Sequence, residues 1–187
     1  MDALLSLTGL VAGYETPVSP ACSFSLGRGE VLGLFGANGL GKSTLLGVVT
    51  GSARAHAGAW RLAPGLRLRH LPQRPERPAQ VPISGRELLR YLEADALAPP
   101  PRLAAKLDTR IDRLSGGEYQ LLALWSCLAG DADLVLLDEP TNNLDPAHTA
   151  LAAEEIAAGR DRRGTLIVSH DRGFLDQVCT RQVFLEA

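Results

Sequence analysis

Residues 36–43 read Gly-Ala-Asn-Gly-Leu-Gly-Lys-Ser, a G-x-x-x-x-G-K-[ST] spacing suited to wrapping a polyphosphate. Glycines let the backbone turn tightly enough for successive N–H groups to face one anion. A helix starting at the lysine would add favourable dipole charge. In such a loop Lys42 is a mobile positive charge for the terminal phosphates, and Ser43 offers its hydroxyl to a divalent cation. Gly36, Asn38, Gly39, Gly41, Lys42, Ser43 and Thr44 are therefore candidate nucleotide contacts, with Lys42 expected to stand in solvent when no ligand is bound. The bland alternative is a glycine-rich turn carrying an exposed lysine. Lysine is too scarce for that to be the better reading, since Lys42 and Lys106 are the only two in the chain.

Three further groups of residues could complete such a site. The run Leu134–Leu137 ends in Asp138 and Glu139, two carboxylates that a buried strand would deliver to a sheet edge. Asp138 there suits a metal ion and Glu139 suits a general base acting on water. Alone, the pair is more often a strand followed by a solvated acidic turn; beside a phosphate loop that reading loses. Leu114-Ser115-Gly116-Gly117-Glu118 carries an S-x-x-E capping box. Capping does not call for two glycines in a first helical turn, each worth about 1 kcal/mol less than alanine. Close approach of backbone to a phosphate does. His170, in Ser169-His170-Asp171, would fall at a strand's carboxyl end, although a lone histidine is usually an ordinary surface or core residue and Asp171 could simply cap the next helix. Gln73 is placed similarly and carries almost no signal by itself.

These residues need elements to hold them. Apolar or alternating runs at Leu4–Leu7, Val31–Phe35, Leu66–Leu71, Leu134–Leu137 and Leu166–Val168 predict strands. Helical patterns fall between several of them, at Lys42–Thr50 (stopped by Gly51), Arg86–Ala94, Tyr119–Ala129 and Ala147–Ala158. Strands alternating with helices predict an α/β fold with a mostly parallel sheet and ligands at its carboxyl edge. The proline-rich stretch Pro72–Arg102 reads as the entry to a small inserted helical lobe. A disordered linker is the weaker alternative, because the later residues return to the same core. One domain over 1–187 results, with its core at roughly 1–72 and 132–187 and the lobe at roughly 73–131.

Composition sets outer bounds. With 187 residues, 45 % of them hydrophobic, the chain can bury a core without staples. A formal net charge of −2 argues against a surface built for polyanions. Cys22, Cys127 and Cys179 lie far apart in no ligand spacing, and read as small hydrophobes in a reducing compartment. The N-terminus shows no signal-peptide pattern. The most apolar stretch, Leu121–Ala129 broken by Ser126, is far too short to span a bilayer, so any membrane partner would be another chain.

The ordered set Tyr14, Gly36–Ser43, Gln73, Leu114–Glu118, Leu134–Glu139, Leu144-Asp145 and His170 resembles the motif series of the ATP-binding cassette (ABC) ATPases over nearly the whole chain. The resemblance implies a P-loop NTPase core with an inserted helical lobe and a peripheral antiparallel β portion, and hydrolysis of ATP with Mg²⁺. It implies that Tyr14 stacks on adenine, that Ser43, Gln73 and Asp138 serve the metal, and that Glu139, His170 and Gln73 serve the lytic water. Ser115, Gly116, Gly117 and Glu118 would meet the nucleotide of a second ABC domain in a head-to-tail dimer, homo- or heteromeric, with Asp145 communicating across it.

A single cassette is similar to the ATPase subunit of a transporter, cytoplasmic and docked on a membrane permease through the lobe. Pro140–Asp145 and Ser169–Asp176 are also similar to F-type ABC proteins, which act on ribosomes, but the two cassettes and basic linker of that class are not seen here. A cassette that binds nucleotide without turnover is the third reading. The helix after Glu118 departs from the family in reading Tyr119-Gln120-Leu121-Leu122 where arginine is usual.

Overall fold

The computed structural model describes residues 3–78 and 81–186. Five parallel strands form the central sheet in the order β5 (Leu68–Leu71), β6 (Leu134–Asp138), β7 (Gly164–Val168), β3 (Val31–Phe35), β8 (Arg181–Phe184). Leu134–Asp138 pairs in register with Gly164–Val168, and Val31–Leu34 with Thr165–Val168. Both faces of these inner strands are covered, which is why they read as unbroken apolar runs. Leu134 and Leu136 face one hydrophobic cluster, Val135 and Leu137 the other, and all four are fully buried. Each such side chain contributes about 1.5–3 kcal/mol relative to its exposed state.

The first cluster lies between the central sheet, helix α1 (Lys42–Thr50) and an antiparallel sheet ordered β2 (Cys22–Leu26), β1 (Leu5–Gly13), β4 (Arg54–Leu62). The second lies beneath α5 (Pro146–Ala158) and α6 (Arg172–Val178). A third cluster, with Leu88, Leu107, Ile111 and Trp125, belongs to the helical insertion, which holds α2 (Gly85–Tyr91), α3 (Pro101–Ala104) and α4 (Gly116–Ala129). Helix α4 serves two clusters at once: Leu124 and Leu128 point to the sheet, Leu121, Leu122 and Trp125 to the insertion. Among the described residues no helix is long and apolar enough to cross a membrane.

The α/β class and the parallel sheet agree with the sequence reading. Boundaries shift modestly: β1 runs on to Gly13, β7 begins at Gly164, α2 stops at Tyr91 and α4 starts at Gly116. Strands β2, β4 and β8 and helix α3 were not placed individually, although a peripheral antiparallel β portion, a helical lobe and a helix after Asp171 were expected. β4 is almost wholly exposed and β8 is an edge strand, so neither carries a core-facing pattern. β2 does alternate cleanly, with Cys22, Phe24 and Leu26 inward. That signal was in the sequence.

Candidate active site

Four central strands release the chain at one sheet edge, and each delivers part of the expected chemistry there. The glycine loop follows β3, Gln73 follows β5, Asp138 closes β6 with Glu139 next to it, and Ser169-His170 follows β7. A hollow of about 380 Å³ at this edge is lined by Val18, Asn38, Gly39, Gly41, Lys42, Ser43, Thr44, Gln73, Glu139 and His170.

The floor of the hollow is the start of α1. Gly41 sits at φ 74°, a left-handed conformation that favours glycine, and a β-carbon there would lie 2.9 Å from the Ser19 side chain. No side chain caps this helix. Helices α2, α4, α5 and α6 are capped by Ser84, Ser115, Asp145 and Asp171 respectively. The first N–H groups of α1 are thus open toward the hollow, where an anion can take the cap's place.

Lys42 departs from expectation. It is 6 % exposed, and its Nζ donates to Gly36 O at 2.7 Å and Ala37 O at 2.9 Å. Burial lowers its pKa, while Glu139 and Asp138 act in the opposite direction. The ammonium is folded back onto its own loop because two carbonyls and two nearby carboxylates hold a desolvated cation better than a solvent-facing rotamer would.

The acids are held in distinct ways. Asp138 accepts from Ser43 Oγ at 2.9 Å through Oδ1, yet burial raises its pKa, with the neighbouring charge of Glu139 adding to the effect. Glu139 has φ 49°, its N–H donates to Val168 O, and its carboxylate is tied to the end of β7. Oε1 accepts from His170 N at 3.1 Å and pairs with His170 Nδ1 at 2.9 Å; Oε2 accepts from Ser169 Oγ at 3.2 Å. That leaves His170 Nε2 for the hollow. Ser169, fully buried, is a site residue the sequence reading did not single out; its position beside His170 was the only signal.

Other expected site residues lie apart. Tyr14 is exposed and borders a separate hollow of about 460 Å³ with Glu15, Gly51, Ser52, Ala53 and Arg54. This larger space brings no acid–base group together with the glycine loop; the smaller one does. Ser115 accepts from Glu118 N at 3.2 Å and Glu118 Oε2 accepts from Ser115 N at 2.8 Å, the reciprocal cap expected of S-x-x-E. Lys106 pairs with Glu118 Oε1 at 2.9 Å. Neither these residues nor Gly116 and Gly117 line the phosphate hollow. Asp145 caps α5, accepting from His148 N at 2.8 Å.

An uncapped helix start under a glycine loop, facing a serine–aspartate pair and a histidine-held glutamate, defines a nucleoside-triphosphate hydrolase of the P-loop type. The profile of the ABC transporter family matches residues 20–142, and the chain belongs to that family of ATP-binding, ATP-hydrolysing proteins. Over 91 % of its length it is 35 % identical to the zinc import ATP-binding protein ZnuC of Marinobacter nauticus, covering 69 % of that protein. The ATP-binding protein Uup of Caulobacter vibrioides is 39 % identical over 82 % of the chain, but only 25 % of Uup is covered. Among solved structures, the ATP-binding subunit of an ABC transporter superposes with a TM-score of 0.82 at 25 % identity, covering 98 % of this chain and 86 % of that one. The chain thus spans about two thirds of the zinc-import relative's length and a quarter of Uup's.

Proposed function

We propose that this chain is the ATPase subunit of a transporter: it binds MgATP, closes head to tail on a second such domain, and drives a membrane permease from the cytoplasmic side. The observation that carries the reading is the open N-terminus of α1 above Lys42, with Glu139 fixed opposite by Ser169 and His170. Lys42 would exchange its two loop carbonyls for the β- and γ-phosphates, and the loop N–H groups would take the remaining oxygens. Glu139 is the group to orient and deprotonate the attacking water, and His170 holds it in line. Gln73, at the mouth of the hollow, suits contact with the same water. Catalysis is then positioning and charge stabilisation, with no covalent intermediate.

The residues fit Mg²⁺. The Ser43 hydroxyl and Asp138 carboxylate already meet, and Gln73 lines the same hollow as Ser43; no cluster of three acids, histidines or cysteines exists among the described residues, so the ion would share its shell with phosphate oxygens and water. When bound, Mg²⁺ supplies charge neutralisation between the β- and γ-phosphates.

Support for the composite dimer comes from one of the two signature glycines. A β-carbon on Gly117 would lie 2.8 Å from Asn143 O, so packing within the chain explains that residue. A β-carbon on Gly116 would meet nothing within 4 Å, and packing does not explain it. An anion approaching the start of α4 from a second domain does. The lobe, roughly 73–131, is the surface for the permease, and the zinc-import relatives make a zinc permease the first partner to test. The F-type reading rests on the 140–145 and 169–176 segments; ATP-trapped protein sedimenting with ribosomes rather than membranes would select it.

The test is a mixing experiment. Lys42→Ala removes the ligand's main cation, and Ser115→Arg blocks the face offered to a partner, so each protein should be inactive alone. Mixed, they form heterodimers with one intact composite site and should recover part of the hydrolysis. Turnover by a strict monomer, independent of protein concentration, would overturn the proposal.

A further inference from the structure

Four residues beyond Gln73, Arg77 crosses to the start of α4. Its Nη1 donates to Leu114 O at 3.0 Å and its Nη2 to Ser115 O at 3.0 Å. The guanidinium carbon lies 4.5 Å from the centroid of the Tyr119 ring, a planar cation over a ring face. The contact is returned: Tyr119 hydroxyl donates to Glu76 O at 2.5 Å. Ser115 and Tyr119 are one helical turn apart and joined by their own backbone bond. Residues 76–77 are therefore fastened to the first turn of α4 at three points.

Helix stability alone does not ask for this. A cation beside a helix N-terminus is disfavoured by the dipole, and this helix start already has a complete reciprocal cap. What the arginine does is join two parts of the composite site. On one side of it the chain leads back to Gln73, which lines the phosphate hollow. On the other is Ser115, whose Oγ is used by Glu118 N and whose carbonyl is used by Arg77.

We propose that Arg77 is a positioning residue that locks the segment after Gln73 to the start of α4, so that Gln73 and the Ser115–Gly117 face move as one body when the site closes. The inference rests on the composite-site reading of the preceding section. Tyr119 is the other half of the lock: its ring supports the guanidinium while its hydroxyl fixes the neighbouring carbonyl.

Arg77→Ala should fold and bind ATP with an affinity within about twofold of wild type, because no contact to the α1 loop is lost. Its kcat should fall about tenfold, which corresponds to ~1.4 kcal/mol and is within the worth of one hydrogen bond to a charged group. Arg77→Lys, a point charge that can serve one carbonyl and stacks poorly, should recover part of that loss. The decisive measurement is the double variant. If Arg77 acts through Gln73, adding Arg77→Ala to Gln73→Ala should lower kcat by less than twofold further. Effects that multiply in the double variant, or wild-type kcat in Arg77→Ala, would overturn the inference. Should Arg77→Ala fail to fold, Arg77→Lys and Tyr119→Phe decide: both must lose kcat at unchanged KM, and unchanged kcat in both overturns it. Failure of the underlying reading looks different, since the wild-type protein would then hydrolyse ATP as a monomer or not bind it.

Discussion

Glu139→Gln separates the chemistry of the site from its architecture, and its consequences can be worked from the contacts. The carboxylate is 6 % exposed and holds His170 N, His170 Nδ1 and Ser169 Oγ. In the variant the amide oxygen can keep both His170 contacts, and the amide nitrogen turns to Ser169 Oγ, which already accepts from Asp171 N and has a lone pair left. The Ser169 proton then loses its acceptor, costing about 1 kcal/mol. Against this, the charge that helps raise the Asp138 pKa is gone. The two effects oppose, so the melting temperature should stay within about 2–4 °C of wild type for a domain of this size. Gln also tolerates the left-handed backbone at φ 49° about as well as Glu.

Turnover should behave quite differently. A lost general base costs roughly 10²–10⁴ in rate, while the phosphate contacts of α1 are untouched. Steady-state phosphate release and nucleotide affinity, measured on the same preparation, therefore should part company: kcat down at least about 10²-fold, ATP affinity retained. Turnover within tenfold of wild type would refute the assignment of Glu139 and move the base to another group, His170 first. A large fall in melting temperature would show that Glu139 serves the β6–β7 junction rather than the reaction.

Three more outcomes follow from the same geometry. Lys42→Ala should fold, because it exchanges two hydrogen bonds for relief from burying a cation, but MgATP should no longer raise its melting temperature. Asp138→Asn, free of nucleotide, should melt above wild type at pH 7: a carboxyl whose folded pKa is raised costs stability above that pKa, and the cost fades as pH falls through the raised value toward 3.8, so the gap should close in acid. Burial pushes the thiols of Cys22 and Cys127 to about 11 and that of Cys179 to about 12, leaving on the order of one thiolate in 10³ to 10⁴ at pH 8, against about one in ten in the denatured chain; alkylation of the native protein should therefore be slower than that of the denatured chain by about 10² to 10³.

How much of this was legible before the structure depended on whether a residue's role shows in local pattern. β6 was readable because both of its faces are covered, which forces an apolar run, and because Asp138 ends it. The α1 loop was readable because only glycine serves at positions such as Gly41. β4 was not, since most of it pairs with β1 at an exposed surface and only Trp60 and Leu62 near its end pack against the core. The burial of Lys42 was missed for another reason: the carbonyls that hold it belong to its own loop, so residue type does not reveal them. Arg77 is the extreme case. Its three contacts span residues 77 to 119, and two of them end on backbone oxygens that every residue has.

The two helix starts differ in a way that bears on the proposed composite site. At α1 no side chain satisfies the first N–H groups, and the loop above them is lined by a cation. At α4 the cap is complete at both ends of its box, so the groups still open are those of Gly116 and Gly117 in the first turn. Gly117 is pressed against Asn143 and Gly116 is bare. One end is thus built to take most of a polyphosphate's charge, the other to add a last contact with little reorganisation. Within a single chain the α4 residues are absent from the lining of the α1 hollow. On the proposed composite site the last contact comes from a second molecule, and if Arg77 ties Gln73 to α4, a chain that closes over its own nucleotide also presents α4 to its partner's. Hydrolysis at either site would on that account depend on occupancy of both, and the rate should rise with ATP more steeply than a single saturable site allows.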